Sequence, residues 1–256
     1  MRTKKELVVV IGCIVFLLAT LGAIGESGRR RAKEMVCLSN LRQWYDVFMM
    51  FAEDNGGYFM GGRNNNDNWW WALETYYFDR NLLRCPMAAR PSVNPMEPGS
   101  YGTWGPSWFP TPTTGPNAGI TFYGSYGMNE WVCNPERIMY GDTRKYWRTP
   151  NVACADKIPL LMDAWWDQAW PEAFDWIPTY PGEWEGMTGD DIAHFCVLRH
   201  DGGINGVFLD GSARRIELQC LWYLKWNRLS NTEDAPTYED FPDWLKELPE
   251  CNLDLE

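Results

Sequence analysis

The chain has 256 residues, 45% hydrophobic and 15% aromatic, and 23 basic side chains face 34 acidic ones for a net charge of -11. That size buries a substantial core in one or two domains. The aromatic content excludes a disordered chain, and the acidic balance excludes a nucleic-acid partner, which needs clustered Lys and Arg.

The charge is uneven along the chain. Residues 1–36 hold seven basic and three acidic side chains, net +4, which leaves 16 against 31, net -15, for residues 37–256. From Leu7 to Ile24 there are 18 residues without a charge. As a helix they span about 27 Å, close to the lower limit for crossing a bilayer. Arg2, Lys4 and Lys5 precede this run, as expected of a cytoplasmic N-terminus. A single-pass anchor is the plain reading, and a signal peptide cut near Ala23–Gly25 is the alternative. Glu6 stands at the mouth of the apolar run, where a carboxylate needs a partner. Beyond it, Met35, Leu38, Leu41, Tyr45, Phe48 and Ala52 recur at spacings of three and four, which predicts an amphipathic helix over 29–54. Asn55-Gly56-Gly57 then supplies a stop. The segment 1–54 therefore reads as one long helix, with Gly22, Gly25 and Gly28 as a weak middle that could bend.

The body, 55–256, reads as an α+β head with long loops. Asn64 to Trp71 is a turn running into Trp, and 91–119 is a Pro/Gly/Ser/Thr-rich loop. Tyr123–Trp131 and Ile158–Asp163 are expected strands. Near the C-terminus, His194–Arg199, Ile204–Leu209 and Ala213–Cys220 predict a three-stranded antiparallel meander, with turns at Asp201-Gly202-Gly203 and Asp210-Gly211. Leu221–Arg228 reads as a packing segment. The tail Ser230–Glu256 carries nine acids against Lys246.

Candidate chemistry is sparse. His200 and Asp210 would lie at opposite ends of one strand, about 20 Å apart, so both are expected to cap turns rather than form an acid–base pair. His194, Cys196 and His200 share a strand face, yet three ligands fanning along one strand cannot converge on zinc, so no metal site is expected. No nucleophile-elbow, phosphate-loop or zinc-protease motif occurs. Asp163 and Asp167 among Trp165, Trp166 and Trp170 suggest a carbohydrate surface or glycosidase pair as a second reading, against buried packing and subunit contacts as the first. Of eight Cys, Cys13 lies in the apolar helix. The other seven would sit in an oxidising compartment, an odd number whose connectivity stays open.

Glu6 with LVVVIGCIVFLLA, followed by RRRAKEMVCLSNLRQW, resembles the N-terminus of type IV pilins and pseudopilins. His200, nine residues, then Asp210-Gly211 resembles the signature of the prepilin-type H-X9-DG proteins of planctomycete and verrucomicrobial type. The segments CLSNLRQW (37–44), RCP (84–86), SYGMNEW (125–131), IPLLMDA (158–164) and LKW (224–226) resemble the same family in order. In place of a leader ending in Gly stands Met1; if Arg2 were the first mature residue, Glu6 would be fifth, as in that family.

The resemblance implies a pilin-like fold and a structural, non-enzymatic subunit without cofactor. Such a subunit is anchored in the inner membrane through 7–24 and then assembles with identical copies into a cell-surface filament. Glu6 would neutralise a neighbouring subunit's N-terminal amine. Arg2, with Lys4 and Lys5, is the other candidate partner for a neighbour's Glu6. From their place where the helix leaves the apolar run, Arg29, Arg30, Arg31 and Lys33 would face acids of adjacent subunits, with the Ser230–Glu256 tail the leading candidate. A pseudopilin of a secretion machine, or an anchored carbohydrate-binding protein, is the alternative.

Overall fold

The computed structural model describes the backbone of residues 4–62, 68–88, 90–91, 100–105, 119, 121–136, 142–183 and 191–252; the side chains of 4–9, 14, 15, 17–24, 90 and 91 stand outside that description. One helix, α1, runs from Lys4 to Asp54, 51 residues, or about 77 Å at 1.5 Å per residue. It continues through Gly22, Gly25 and Gly28 without unwinding: isolated glycines cost about 1 kcal/mol each, too little against the surrounding helix formers. The stop falls where expected. Gly57 N–H closes on the Ala52 carbonyl at 2.7 Å, with Gly56 and Gly57 at φ +70° and +88°, the left-handed conformation that glycine adopts most readily.

The buried stripe of α1 differs from the predicted one. Cys37, Leu41, Trp44, Phe48 and Ala52 are buried, whereas Met35 is 61% exposed and Leu38 and Tyr45 only half-buried. Spacing alone permits either face. Trp44 decides it, because its indole N–H donates to the Leu82 carbonyl at 2.7 Å while its ring packs edge-on against Trp69 and Tyr77.

Seven strands follow among the described residues: β1 (Arg90–Pro91), β2 (Gly102–Thr103), β3 (Tyr126–Asn129), β4 (Pro159–Asp163), β5 (Gln168–Ala169), β6 (Gly203–Phe208) and β7 (Ala213–Glu217). β1 and β2 form a two-residue parallel pair, and the others form one sheet in the order β5-β3-β4-β6-β7. All its pairings are antiparallel except β3 with β5. This is an α+β arrangement, one long helix on a mostly antiparallel sheet. α1 lies over β4, β6 and β7. β4 and β6 are buried along their whole length, so the opposite face is covered too, with Phe195 against Gly127.

The three-stranded meander is corrected to two strands. Asp191–Phe195 is a 3-10 turn rather than strand, and only His200 bridges to Gly203. The apolar alternation in 194–199 reflects burial on all sides: Phe195, Cys196 and Val197 are all fully buried. The acidic tail is not a loose arm either. Cys251 is disulfide-bonded to Cys220, Phe241 and Leu245 are buried, and the Gln219 side chain donates to the Leu245 carbonyl at 2.9 Å.

Tryptophan supplies much of the core. Trp44, Trp69, Trp70, Trp104, Trp165, Trp222 and Trp226 are fully buried, and Trp69, Trp70 and Trp104 form a continuous ring contact. Among the described residues, no helix is long and apolar enough to cross a membrane; most side chains of the expected 7–24 span lie outside the described residues.

Candidate functional site

Four side chains from four separate segments meet beneath α1. Cys37 comes from the buried stripe of α1. Cys85 follows the 3-10 turn Arg80–Leu83. Asp163 ends β4, and His200 stands at the turn into β6. One ligand atom from each lies within 4.8 Å of every other, and none of the four residues is more than 4% exposed.

His200 Nε2 is 3.1 Å from Asp163 Oδ2 and 3.3 Å from Cys85 Sγ. Cys37 Sγ is 3.6 Å from Asp163 Oδ2 and receives the Tyr126 hydroxyl at 3.4 Å. Sequence order places these groups far apart, and local geometry aims them inward. β3 and β4 pair so that Tyr126 stands opposite Asp163. The Asp201-Gly202 turn folds His200 back, its N–H on the Gly203 carbonyl at 3.0 Å. Cys85 is fixed by its own N–H, which donates to Ser125 Oγ at 2.7 Å.

Arg199 surrounds the cluster with donors. Its guanidinium, fully buried, reaches the carbonyls of Ser100, Ser125, Gly102 and Ala164 and Oδ1 of Asp163 at 3.2 Å. The Asn205 N–H donates to Asp163 Oδ2 at 2.9 Å. Asp163 is thus an anion despite complete burial: desolvation pushes its pKa up, but the bonds to His200, the Arg199 charge and the Asn205 N–H hold it at about 2. Burial likewise opposes a charge on His200, yet Asp163 and Cys85 raise its pKa well above the ordinary imidazole value. The two thiols split. Burial, Cys85 and Asp163 push Cys37 up; burial also opposes ionisation of Cys85, but Cys37, His200 and Arg199 outweigh it and bring Cys85 down.

A cysteine–histidine–aspartate relay is the first chemistry this set suggests. The geometry does not suit it. A relay needs the nucleophile on one ring nitrogen and the carboxylate on the other, whereas both contacts here converge on Nε2. Convergence on a common point is the arrangement of ligands around a centre. A cavity of about 240 Å³ bounded by Arg30, Met87, Tyr101, Arg199, His200 and Leu248 adjoins the cluster on the His200 side.

The residues expected from the sequence are distributed as follows. His200 does not merely cap a turn; its ring belongs to the buried cluster. Asp210 lies at the far end of β6, where its carboxylate accepts from Ser212 N–H at 2.8 Å and Oγ at 2.6 Å, away from His200. Gly211 adopts φ +82° in the β6–β7 turn, and a Cβ there would meet the Tyr45 ring at 2.9 Å. Arg30 pairs within its own chain, with Glu26 at 2.9 Å and Asp201 at 4.0 Å. Arg29, Arg31 and Lys33 are exposed on α1. Arg2 and the side chain of Glu6 lie outside the described residues.

His194 and Cys196 do not join His200. His194 packs edge-on against Trp165 at 4.6 Å, so the set sharing one strand face does not converge. The expectation of no metal site considered that set alone and missed Cys37, Cys85 and Asp163. The available signal was their position: each lies in one of the segments CLSNLRQW, RCP and IPLLMDA. For the carbohydrate reading, Trp165 and Trp166 are 1% and 8% exposed and Asp163 and Asp167 fully buried, so these four present no stacking face; Trp170 is half-buried, its indole N–H donating to the Tyr146 hydroxyl at 3.2 Å. Compared with known proteins, the chain matches no family model, no curated protein and no solved structure.

Proposed function

We propose that the chain is the structural subunit of a type IV pilus-like filament, of the pilin-like H-X9-DG kind, held in the inner membrane before assembly and built into a helical homopolymer through its N-terminal helix. The observation that carries this reading is the division of α1. Its second half is built into the head through Cys37, Leu41, Trp44 and Phe48. In its first half the apolar side chains Val10, Ile11 and Phe16 are 39–68% exposed. Bare apolar surface on a helix standing clear of its own head needs lipid or other copies of that helix to cover it. Burying it recovers about 1.5–3 kcal/mol per large side chain, which makes the helix the main source of assembly energy.

In this reading Glu6 pairs with a neighbour's terminal amine or with Arg2, Lys4 or Lys5. Glu6→Ala would leave a cation unpaired in the helix bundle, at about 3–5 kcal/mol per contact. Immunogold electron microscopy of the cell surface tests the proposal: filaments that label with an antibody to the head and disappear in Glu6→Ala cells are expected. A chain confined to the membrane and never found in fibres sinks it, and favours the pseudopilin or the anchored carbohydrate-binding alternative.

A further inference from the structure

We propose that Cys37, Cys85, Asp163 and His200 form a tetrahedral binding site for one zinc ion, which ties the long helix to the sheet. The donor set is two thiolates, one imidazole and one carboxylate, the ligand types that zinc takes. Zinc–ligand bonds of 2.0–2.3 Å in tetrahedral geometry place neighbouring ligand atoms about 3.3–3.8 Å apart. The observed separations are 3.1 Å for His200 Nε2 to Asp163 Oδ2, 3.3 Å for His200 Nε2 to Cys85 Sγ and 3.6 Å for Cys37 Sγ to Asp163 Oδ2. All six pairs lie within 4.8 Å. The three separations lie within about 0.2 Å of the range a tetrahedral ion sets.

The surroundings are those of a ligated ion. Ligands in metal sites are oriented by outer hydrogen bonds. Here the Tyr126 hydroxyl donates to Cys37, while Arg199 and the Asn205 N–H donate to Asp163. Zinc with two thiolates and one carboxylate carries one net negative charge, and Arg199 offsets it. On binding, the thiols release the protons they still hold and His200 enters as neutral imidazole with its proton on Nδ1.

The competing fate of Cys37 and Cys85 is a disulfide. Cys220 and Cys251 are joined in this molecule whereas Cys37 and Cys85 are free. The ion joins α1, the segment after Leu83, the end of β4 and the start of β6. It would therefore act as a rivet where the helix enters the head, and this role does not depend on the filament reading.

The test uses the full chain, purified in detergent without chelator or reductant. Native mass spectrometry with elemental analysis should find one zinc per chain. Exchange with Co²⁺ should produce a thiolate-to-cobalt charge-transfer band together with the ligand-field bands of a tetrahedral ion. Tyr126→Phe keeps every ligand and should weaken metal affinity by about 10–100-fold, the usual effect of losing an outer-shell partner. Cys133→Ser, a buried cysteine outside the cluster, should retain the metal at full stoichiometry. A Cys37–Cys85 disulfide in the unreduced digest overturns the proposal. So does folded wild-type protein that holds both thiols free and takes up neither zinc nor cobalt. Both of these readouts are made on the wild type, so they decide the matter even where a variant fails to fold.

Discussion

Arg199 is the residue whose removal should be felt most. Its guanidinium donates to four main-chain carbonyls, those of Ser100, Ser125, Gly102 and Ala164, and to the Asp163 carboxylate, with no exposure to solvent. Arg199→Met keeps the length of the side chain and deletes every donor. Breaking a buried ion pair by removing one partner costs about 3–5 kcal/mol, and each buried carbonyl left without a partner adds about 1–3 kcal/mol unless water reaches it; the Ser125 carbonyl is spared, since it also accepts the Ala164 N–H at 2.9 Å. The full sum rivals the 5–15 kcal/mol total stability of a domain, so relaxation must absorb part of it, and 3–5 kcal/mol is the floor. Urea denaturation of the full chain in detergent, followed by tryptophan fluorescence, reads this as a fall of about 1–5 M in the midpoint at an m-value of 1–3 kcal/mol/M, or as failure to fold. Arg199→Lys keeps the charge but has three donors on one nitrogen for five acceptors, so it should fall between wild type and Arg199→Met. If Arg199→Met lies within 1 kcal/mol of wild type, the claim that this side chain holds β2, β3 and β4 together is wrong.

Three further outcomes follow from the same geometry. Gly211→Val forces a branched side chain into φ +82° against the Tyr45 ring; it should cost about 2–4 kcal/mol in denaturant melts, from backbone strain and overpacking, while Gly211→Ala should cost less. Cys220→Ala with Cys251→Ala opens a link across 31 residues and should lower stability by about 2–4 kcal/mol; because this link fastens the acidic tail, any ionic contact of the tail with another subunit is better probed by charge-neutralising substitutions than by deleting 230–256. Asp175 is buried, and desolvation together with the neighbouring Asp191 and Glu172 carries its pKa from 3.8 to about 8 against two backbone N–H bonds. The unfolded chain releases that proton near pH 3.8 and the folded chain only near 8, so stability should decline as pH rises through that window and level off above it. Asp175→Asn should flatten the decline in melts from pH 5 to 9; an unchanged slope would show that the carboxyl is already ionised in the folded state.

The periodicities and turn residues of the chain settled its local elements. The spacing of apolar residues and the turn residues were enough to place a helix ending at Asn55-Gly56-Gly57 and the β6–β7 hairpin turning at Asp210-Gly211, because each is held by bonds between residues close in sequence; the IPLLMD strand was legible from its apolar run, although the strands it pairs with, β3 and β6, are distant in the chain. The choice of buried helix face was not legible. Met35, Leu38 and Tyr45 fit the helical period as well as Cys37 and Trp44 do, and only the carbonyl of Leu82 and the rings of Trp69 and Tyr77 select between them. The same holds for 194–199, where an apolar run suits a strand or a buried 3-10 segment equally. The cluster of Cys37, Cys85, Asp163 and His200 belonged wholly to the tertiary structure. Its successive members are separated by 37 to 78 residues along the chain, and no local pattern encodes which cysteine a histidine will meet. That was decided by the packing of α1 over β4 and β6 and by the turn that folds His200 inward, which bring four distant residues within reach of a single point.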